Sequence, residues 1–395
     1  MVEKNWIIRK SNMFDKNFII FKIFGIWPGR APSKYYKYYS FIYLFVTFVC
    51  YNILLTLNLL YTPRKIELLL REVIFYFTEI TVTTKILTIL LMRDKLIKAL
   101  NFIDCDEFVG DYENKAGLLY KTNSTYNLGW KLYAIMSNAA YSSQVFVPIF
   151  LDLIRGTKSV LPICKYYFLS DEVRDSYFTF WFIYQSFGMY GHMMYNVNID
   201  SLIAGLLVIA IAQLRLLNTN LTNFKLSAGE RKLQTELQDK IQIIRLNKLL
   251  RHYEVILNYC ETVQDILSTT LFFQFSVASI IICVVMCGLV LPSSTEMRVF
   301  LVMYLFTMTT QIFVPGFLGT QLTYESQELV AAAYSSEWIP RSESFKRSLK
   351  LFIERAQTPI VITGLNMFPL SLVTFTSIMK SAYSFFALIR NVQEE

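Results

Sequence analysis

Long uncharged stretches dominate the chain. Six exceed nineteen residues: 38–63, 132–151, 176–199, 266–295, 299–324 and 356–379. A helix crossing the roughly 30 Å hydrocarbon core of a bilayer needs about 20 such residues, so each stretch predicts a membrane span. A seventh is hidden by its charges. Residues 68–92 are apolar apart from Arg71, Glu72, Glu79 and Lys85. The apolar positions surround the helix, which favours a span over a helix lying on the surface. Glu79 and Lys85 are six positions apart, about 240° around a helix, so they cannot pair within it. Each would cost roughly 2.5–3.5 kcal/mol at the bilayer centre, less against protein or water. The expected spans are about 38–60, 68–92, 131–154, 176–214, 266–291, 298–324 and 359–390. The pattern therefore predicts an all-α membrane protein with seven transmembrane helices.

The polar mass between these spans is unevenly placed. Residues 228–265 read as an amphipathic helix, with Leu233, Leu237, Ile241 and Ile244 at helical spacing. Glu236 and Lys240 add a favourable i,i+4 pair. The fourth span also overshoots: 176–214 would measure about 58 Å, twice the hydrocarbon core. Asp200, about 36 Å along it, is expected beyond the bilayer. Regions 215–265 and 325–358 then form a helical bundle on one side of the membrane, a place for subunits to meet. Spans and bundle together make one domain over residues 1–395.

Charge orients the assembly. The N-terminal segment and the connections 93–131, 215–265 and 325–355 hold 27 Lys and Arg, against 9 on the other side. The positive-inside rule puts the N-terminus and the bundle in the cytoplasm and the C-terminus outside. That is the reverse of a G-protein-coupled receptor. Residues 1–37 carry eight basic residues and no early apolar run, so the first span is expected to act as its own signal. This topology explains the +8 net charge without a nucleic-acid partner. The content of 54% apolar and 17% charged residues fits the bilayer, soluble domains carrying about 25% charged. Of six cysteines only Cys164 is expected outside, and the sequons at Asn123 and Asn220 fall inside.

Chemistry is sparse. His192 and His252 are too few and too far apart for a metal cluster, and Cys283/Cys287 on one helix face read as packing. No Walker-type glycine loop or nucleophile elbow appears. Only Glu79 stands as an acid clearly within a span, too little for a proton relay. No enzyme, cofactor or pump is expected.

Two stretches resemble the insect odorant receptor family. Phe24-Gly25-Ile26-Trp27-Pro28 is similar to the Gly-Leu-Trp-Pro preceding the first span in many members. Tyr334-Ser335-Ser336-Glu337-Trp338, Arg355-Ala356-Gln357-Thr358-Pro359, Phe375 and Ser381 through Arg390 follow the family's C-terminal pattern. Their order, spacing and position relative to the spans carry the resemblance. It implies an odorant-gated, non-selective cation channel, assembled as a tetramer with an odorant co-receptor subunit, in the cell membrane of a sensory neuron dendrite. The modest 215–265 connection lacks the insertion of the co-receptor type, so this chain looks like a tuning subunit.

The resemblance also implies sites. The family's pore is lined by the last helix, and alignment places its gate at Leu388 and Val392. These are four apart, so they share a face about 6 Å apart along the axis. Two apolar rings from four subunits would close a narrow pore by dewetting. Ser381 and Ser384 lie near that face, Asn391 beside it, and Lys380, about 80° from Leu388, is expected to point towards a neighbouring helix. The family's ligand site lies in the outer half of the membrane among spans two, three, four and six. The candidates there are Ile74, Phe77 and Thr78; Tyr141, Ser142, Val145 and Phe146; Tyr177, Phe180, Tyr184 and Gly188; and Tyr304. A volatile ligand calls for such an apolar cavity with few polar groups.

Three other protein classes fit less well. A G-protein-coupled receptor would show an Asp-Arg-Tyr type motif after span three, where this chain has Leu151-Asp152-Leu153-Ile154-Arg155. A secondary transporter would show repeated halves. A gustatory-type channel shares the pore argument, but the nearest candidate for its last-span Thr-Tyr-x5-Gln-Phe signature, Thr374-Phe375, is not followed by the Gln-Phe that the signature needs.

Overall fold

The computed structural model describes residues 12–29, 33–108, 117–156, 160–290 and 295–394. They are almost entirely helical. A short helix, α1 (Asp15–Ile23), precedes a first span built from α2 (Tyr36–Leu44) and α3 (Tyr51–Tyr61), joined through a π-helical turn at Phe45–Cys50. The second span is α4 (Ile66–Leu91), followed by α5 (Arg93–Asp104), and the third is α6 (Leu118–Arg155). Then α7 (Asp171–Ser176) leads into three long helices, α8 (Phe178–Thr222), α9 (Thr235–Val290) and α10 (Thr295–Tyr334). The chain ends with α11 (Glu343–Ala356), a hairpin of β1 (Thr363–Gly364) and β2 (Phe368–Pro369), and α12 (Leu372–Glu394).

Length makes the architecture. At 45, 56 and 40 residues, α8, α9 and α10 outrun the hydrocarbon core. Their overhanging parts pack with α5 and α11 into a second helical layer continuous with the first. α8 is the central column, packed on α6, α9 and α10. Its Leu202, Leu206, Leu207 and Leu214 are buried, because partners surround it on every side. Five helices among the described residues are long and apolar enough to cross a membrane, and Leu372–Leu388 is a shorter apolar helix.

Several expectations change. The seventh span does not begin near 359, because residues 363–369 form the hairpin and the helix starts at Leu372. The amphipathic helix begins at Thr235, and it is one piece with the fifth span. Its stripe of Leu233, Leu237 and Ile244 faces outward; the inner face carries Gln242, Leu246 and Tyr253 instead. Asp200 does not stand free in solvent. It pairs with Lys85, six residues before the end of α4, so it lies at that helix's depth. An ammonium buried in α4 needs an anion, and α8 supplies it.

The N-terminal motif has a structural explanation. Gly25 turns the chain with φ +76°, a conformation that favours glycine. The freed carbonyls are then collected by α2 and α8. Tyr36 Oη donates to the carbonyl of Trp27 at 2.8 Å, Ser40 to that of Gly25, and Tyr195 to that of Phe24 at 2.5 Å. The Arg93 guanidinium lies over the Trp27 ring, 5.0 Å from its centroid.

The start of α12 is set by side-chain clamps. Gln264 brackets Thr363, accepting from its N–H at 2.8 Å and donating to its carbonyl at 3.0 Å. Thr320 Oγ1 accepts from Leu372 N–H at 2.9 Å. The link is pressed against α10 at Gly319, where a Cβ would stand 2.0 Å from the Leu370 carbonyl oxygen.

Candidate ligand pocket and pore helix

Arg71, Glu72, Glu79 and Lys85 of α4 each find a partner on another element. Arg71 donates to the Pro162 carbonyl at 2.8 Å. Glu72 accepts from Asn58 Nδ2 at 2.6 Å. Glu79 shares a hydrogen bond with His192 Nδ1, while His192 Nε2 meets the Thr47 carbonyl at 2.8 Å. That carbonyl only accepts, so Nε2 carries a proton. One further proton lies between Nδ1 and Glu79, and the pair is net neutral whichever atom holds it. Lys85 Nζ reaches Asp200 at 2.5 Å and Asn196 Oδ1 at 2.6 Å. Asp200 also accepts from Tyr133 and Gln311. Glu79 and Lys85 are thus matched inside the bundle and Arg71 and Glu72 are hydrogen-bonded, which suits α4 to span.

Beside this ladder lies an aromatic and aliphatic cluster between α4 and α10. The rings of Phe75, Phe300 and Tyr304 lie 5.5–6.4 Å apart. Ile74 is fully buried among them, and Phe77 is half-buried. Thr78 gives its proton to the Ile74 carbonyl at 2.8 Å, so Tyr304 is the donor in the hydrogen bond the two hydroxyls share. Residues 160–170 fold over the end of the cluster nearest the start of α4. Leu161, Ile163, Cys164 and Tyr166 are buried there, and Gln185 pins the strap by accepting from Ile163 N–H at 3.1 Å and donating to the Cys164 carbonyl at 2.9 Å.

The remaining pocket candidates separate into two groups. Val145 is buried; Tyr141 is half-buried, its ring 5.2 Å from Tyr190 and its hydroxyl donating to the Ser186 carbonyl. Gly188 is buried against the Tyr51 ring, which occupies the space a side chain would need. Tyr184 lies near that ring and donates to the Val46 carbonyl at 2.9 Å. Tyr177, Phe180, Ser142 and Phe146, in contrast, face out of the protomer. Tyr177 precedes α8 at a helix break, and Phe180 lies about 80° around the helix from Gly188. The residues that sequence reasoning missed are Phe75, Tyr51, Gln185 and the partner role of His192. An available signal was α4 itself: its unpaired Glu79 and Lys85 demanded polar partners, and His192, Asn196 and Asp200 follow at spacings of four on α8.

On α12, Phe375, Ile378 and Met379 pack inward beside the buried Ala382. Val373, Ser377, Lys380, Ser381, Ser384 and Leu388 are exposed on the opposite side. Lys380 therefore does not turn to a neighbouring helix of its own protomer. The Ser381 and Ser384 hydroxyls donate back to carbonyls four residues earlier. Asn391 and Val392 belong to α12, but their side chains lie outside the described residues. A groove of about 320 Å³ opens at the other end of α10 from Tyr304, lined by Asn218, Thr222, Glu325 and Glu328, an acidic surface unsuited to an apolar ligand.

A family described as 7tm Odorant receptor matches residues 65–383. The chain belongs to this family. Odorant receptors are membrane receptors rather than enzymes, and this one is a multi-pass membrane protein. Odorant receptor 67c of Drosophila melanogaster is 30% identical over 224 residues, covering 57% of this chain and 54% of that protein. Odorant receptor 10 of Aedes albopictus is 28% identical over 182 residues, 46% of this chain and 47% of that one. This odorant receptor thus spans about half the length of these two curated relatives. Odorant receptor 46a, isoform B, of Drosophila melanogaster is 23% identical over 384 residues, 94% of this chain and 96% of that one. Among solved structures, the insect olfactory receptor OR5 from Machilis hrabei in complex with eugenol aligns with a TM-score of 0.79. The alignment covers 98% of this chain and 99% of that chain at 18% identity, and shows the shared seven-helix membrane fold.

Proposed function

We propose that this odorant receptor is the tuning subunit of an odorant-gated, non-selective cation channel. It binds a small volatile molecule in the outer half of the membrane and opens a pore lined by α12 in a tetramer with the odorant co-receptor. Its N-terminus and second helical layer are cytoplasmic and its C-terminus is extracellular, as the 27-to-9 basic asymmetry supports. The observation that carries the channel reading is the exposed face of α12. Ser377, Ser381, Ser384 and Leu388 share it while the opposite face is packed, which is what a helix lining water beside an apolar constriction needs. Leu388 and Val392 form the gate, with Ser381, Ser384 and Asn391 as its polar lining.

The ligand occupies the region of Ile74, Phe75, Phe77, Thr78, Tyr141, Val145, Tyr184 and Tyr304. Rings supply apolar area, and the Tyr304–Thr78 hydroxyl pair supplies one polar contact, suiting a ligand with a single oxygen function. The similar Machilis hrabei receptor is solved in complex with eugenol. Binding must favour the open state through differential affinity. α10 joins the two places, carrying Tyr304 at one point and touching α12 further along.

Whole-cell recording with a volatile panel tests this reading, in cells expressing the chain with and without an insect co-receptor. Odorant-evoked cation current only in co-expressing cells is expected. Leu388→Ala should raise basal current. Tyr304→Phe should weaken the response to oxygen-bearing odorants about tenfold, the loss of one hydrogen bond. Unchanged basal current and unchanged potency in these variants would overturn the gate and pocket assignments respectively.

A further inference from the structure

We infer that Lys380 faces the conduction pathway and limits cation flow through this subunit. The inference rests on the reading of α12 as the pore helix and adds to it a residue that sets conductance and divalent permeability.

Lys380 lies eight residues into the 23-residue α12, well inside the helix. It is exposed, and among the described residues no carboxylate lies within ion-pairing distance of it. Its exposed neighbours at helical spacing are Val373, Thr376, Ser377, Tyr383 and Ser384. On an ideal helix Lys380 falls within about 60° of Ser377 and about 40° of Ser384. The packed residues Phe375 and Ala382 lie on the far side.

An ammonium in this position meets lipid, protein of its own protomer, a neighbouring subunit or water along the channel, and a neighbouring subunit is the outcome in which the Lys380 variants leave conductance unchanged. Lipid would leave it unsolvated and unpaired. Protein of the same protomer is excluded by its exposure. Water along the channel solvates it fully. The contrast with Lys85 supports this choice, because the lysine that is buried in protein is matched by Asp200.

In a tetramer, each copy of this chain places one positive charge at the same level of the pathway. Four copies would make a ring of ammonium groups opposing cations, most strongly divalent ones. A partner subunit lacking the charge dilutes that ring. Lys380 thereby makes cation conduction by this chain depend on the composition of the tetramer.

Single-channel recording of the chain co-expressed with an insect co-receptor tests this, using spontaneous openings in sodium and calcium solutions so that no agonist is needed. Lys380→Gln is expected to raise unitary conductance about two-fold, the change one unit charge makes to local cation concentration at about 8 Å in water. It should also increase calcium permeability relative to sodium. Lys380→Glu should go further in both measures, and Lys380→Arg, which keeps the charge, should restore the original values. Ser384→Cys treated with a water-soluble cationic methanethiosulfonate separates this inference from the pore reading. If Ser384→Cys is blocked but the Lys380 variants leave conductance and permeability unchanged, α12 lines the pore and the lysine inference is wrong. If Ser384→Cys is untouched and the Lys380 variants are silent, both fail.

Discussion

Lys85 of α4 and Asp200 of α8 form an ion pair, Nζ to Oδ1 2.5 Å, with the lysine side chain fully buried. The two residues lie on different spans far apart in the chain, and their contact fixes the rotation of the second span against the central helix. Asn196, Tyr133 and Gln311 complete the shell around them.

Removing one partner should be worse than removing both. Lys85→Met leaves a carboxylate in the interior with no counter-charge, a loss of about 3–5 kcal/mol. The double variant Lys85→Met with Asp200→Leu should recover most of it. Surface expression and the melting temperature of detergent-purified protein report the difference. Equal destabilisation by the single and double variants would refute the pairing argument.

Two glycine substitutions should differ sharply. Gly319→Ala drives a methyl group into the Leu370 carbonyl, backbone that is itself clamped by α9 and α10. It should cost about 1–3 kcal/mol or more through overpacking and displace the start of α12. Gly129→Ala on α6 meets nothing within 4 Å and should be neutral or slightly stabilising, alanine being the better helix former. Thermal melting of the two variants, with basal current for Gly319→Ala, checks this.

Acid should loosen the second helical layer through His252. It is buried on α9 with Nε2 2.8 Å from Gln213 Oε1, and burial pushes its pKa down to about 4. Between that value and about 6.5 the unfolded chain binds the proton that the folded chain refuses. Stability contributed by the neutral imidazole is therefore complete above about pH 6.5 and declines as pH falls towards 4, by up to about 3 kcal/mol. His252→Gln should flatten the melting-temperature profile over that window. An unaltered profile would place the acid sensitivity elsewhere.

Arg245 holds Glu230 through both guanidinium nitrogens, and with the Ser227 N–H it lowers the Glu230 pKa to about 2. That contact fastens residues 227–232, where the amphipathic pattern led to an expectation of helix. Helix begins only at Thr235 because Gly229 and the Ser227–Glu230 turn capture the backbone first.

Local chemistry alone determined much of this protein. Uncharged runs of twenty or more residues have only one low-energy home, so the helical membrane class and most spans were readable from hydropathy. The exposed side of α12 was readable too, because Ser377, Ser384 and Leu388 recur at helical spacing. Rotation and partnership were not. Glu79 and Lys85 marked α4 as needing polar company, but which residue of which helix answered depended on packing between segments distant in the chain. The hairpin at residues 363–369 was hidden because its apolar composition suits a span equally well; the Gln264, Ser268 and Thr323 clamps that hold it come from other helices. Tyr177 and Phe180 looked like pocket lining for the same reason. Periodicity states which residues share a face, and only the neighbouring helices decide whether that face looks inward or out.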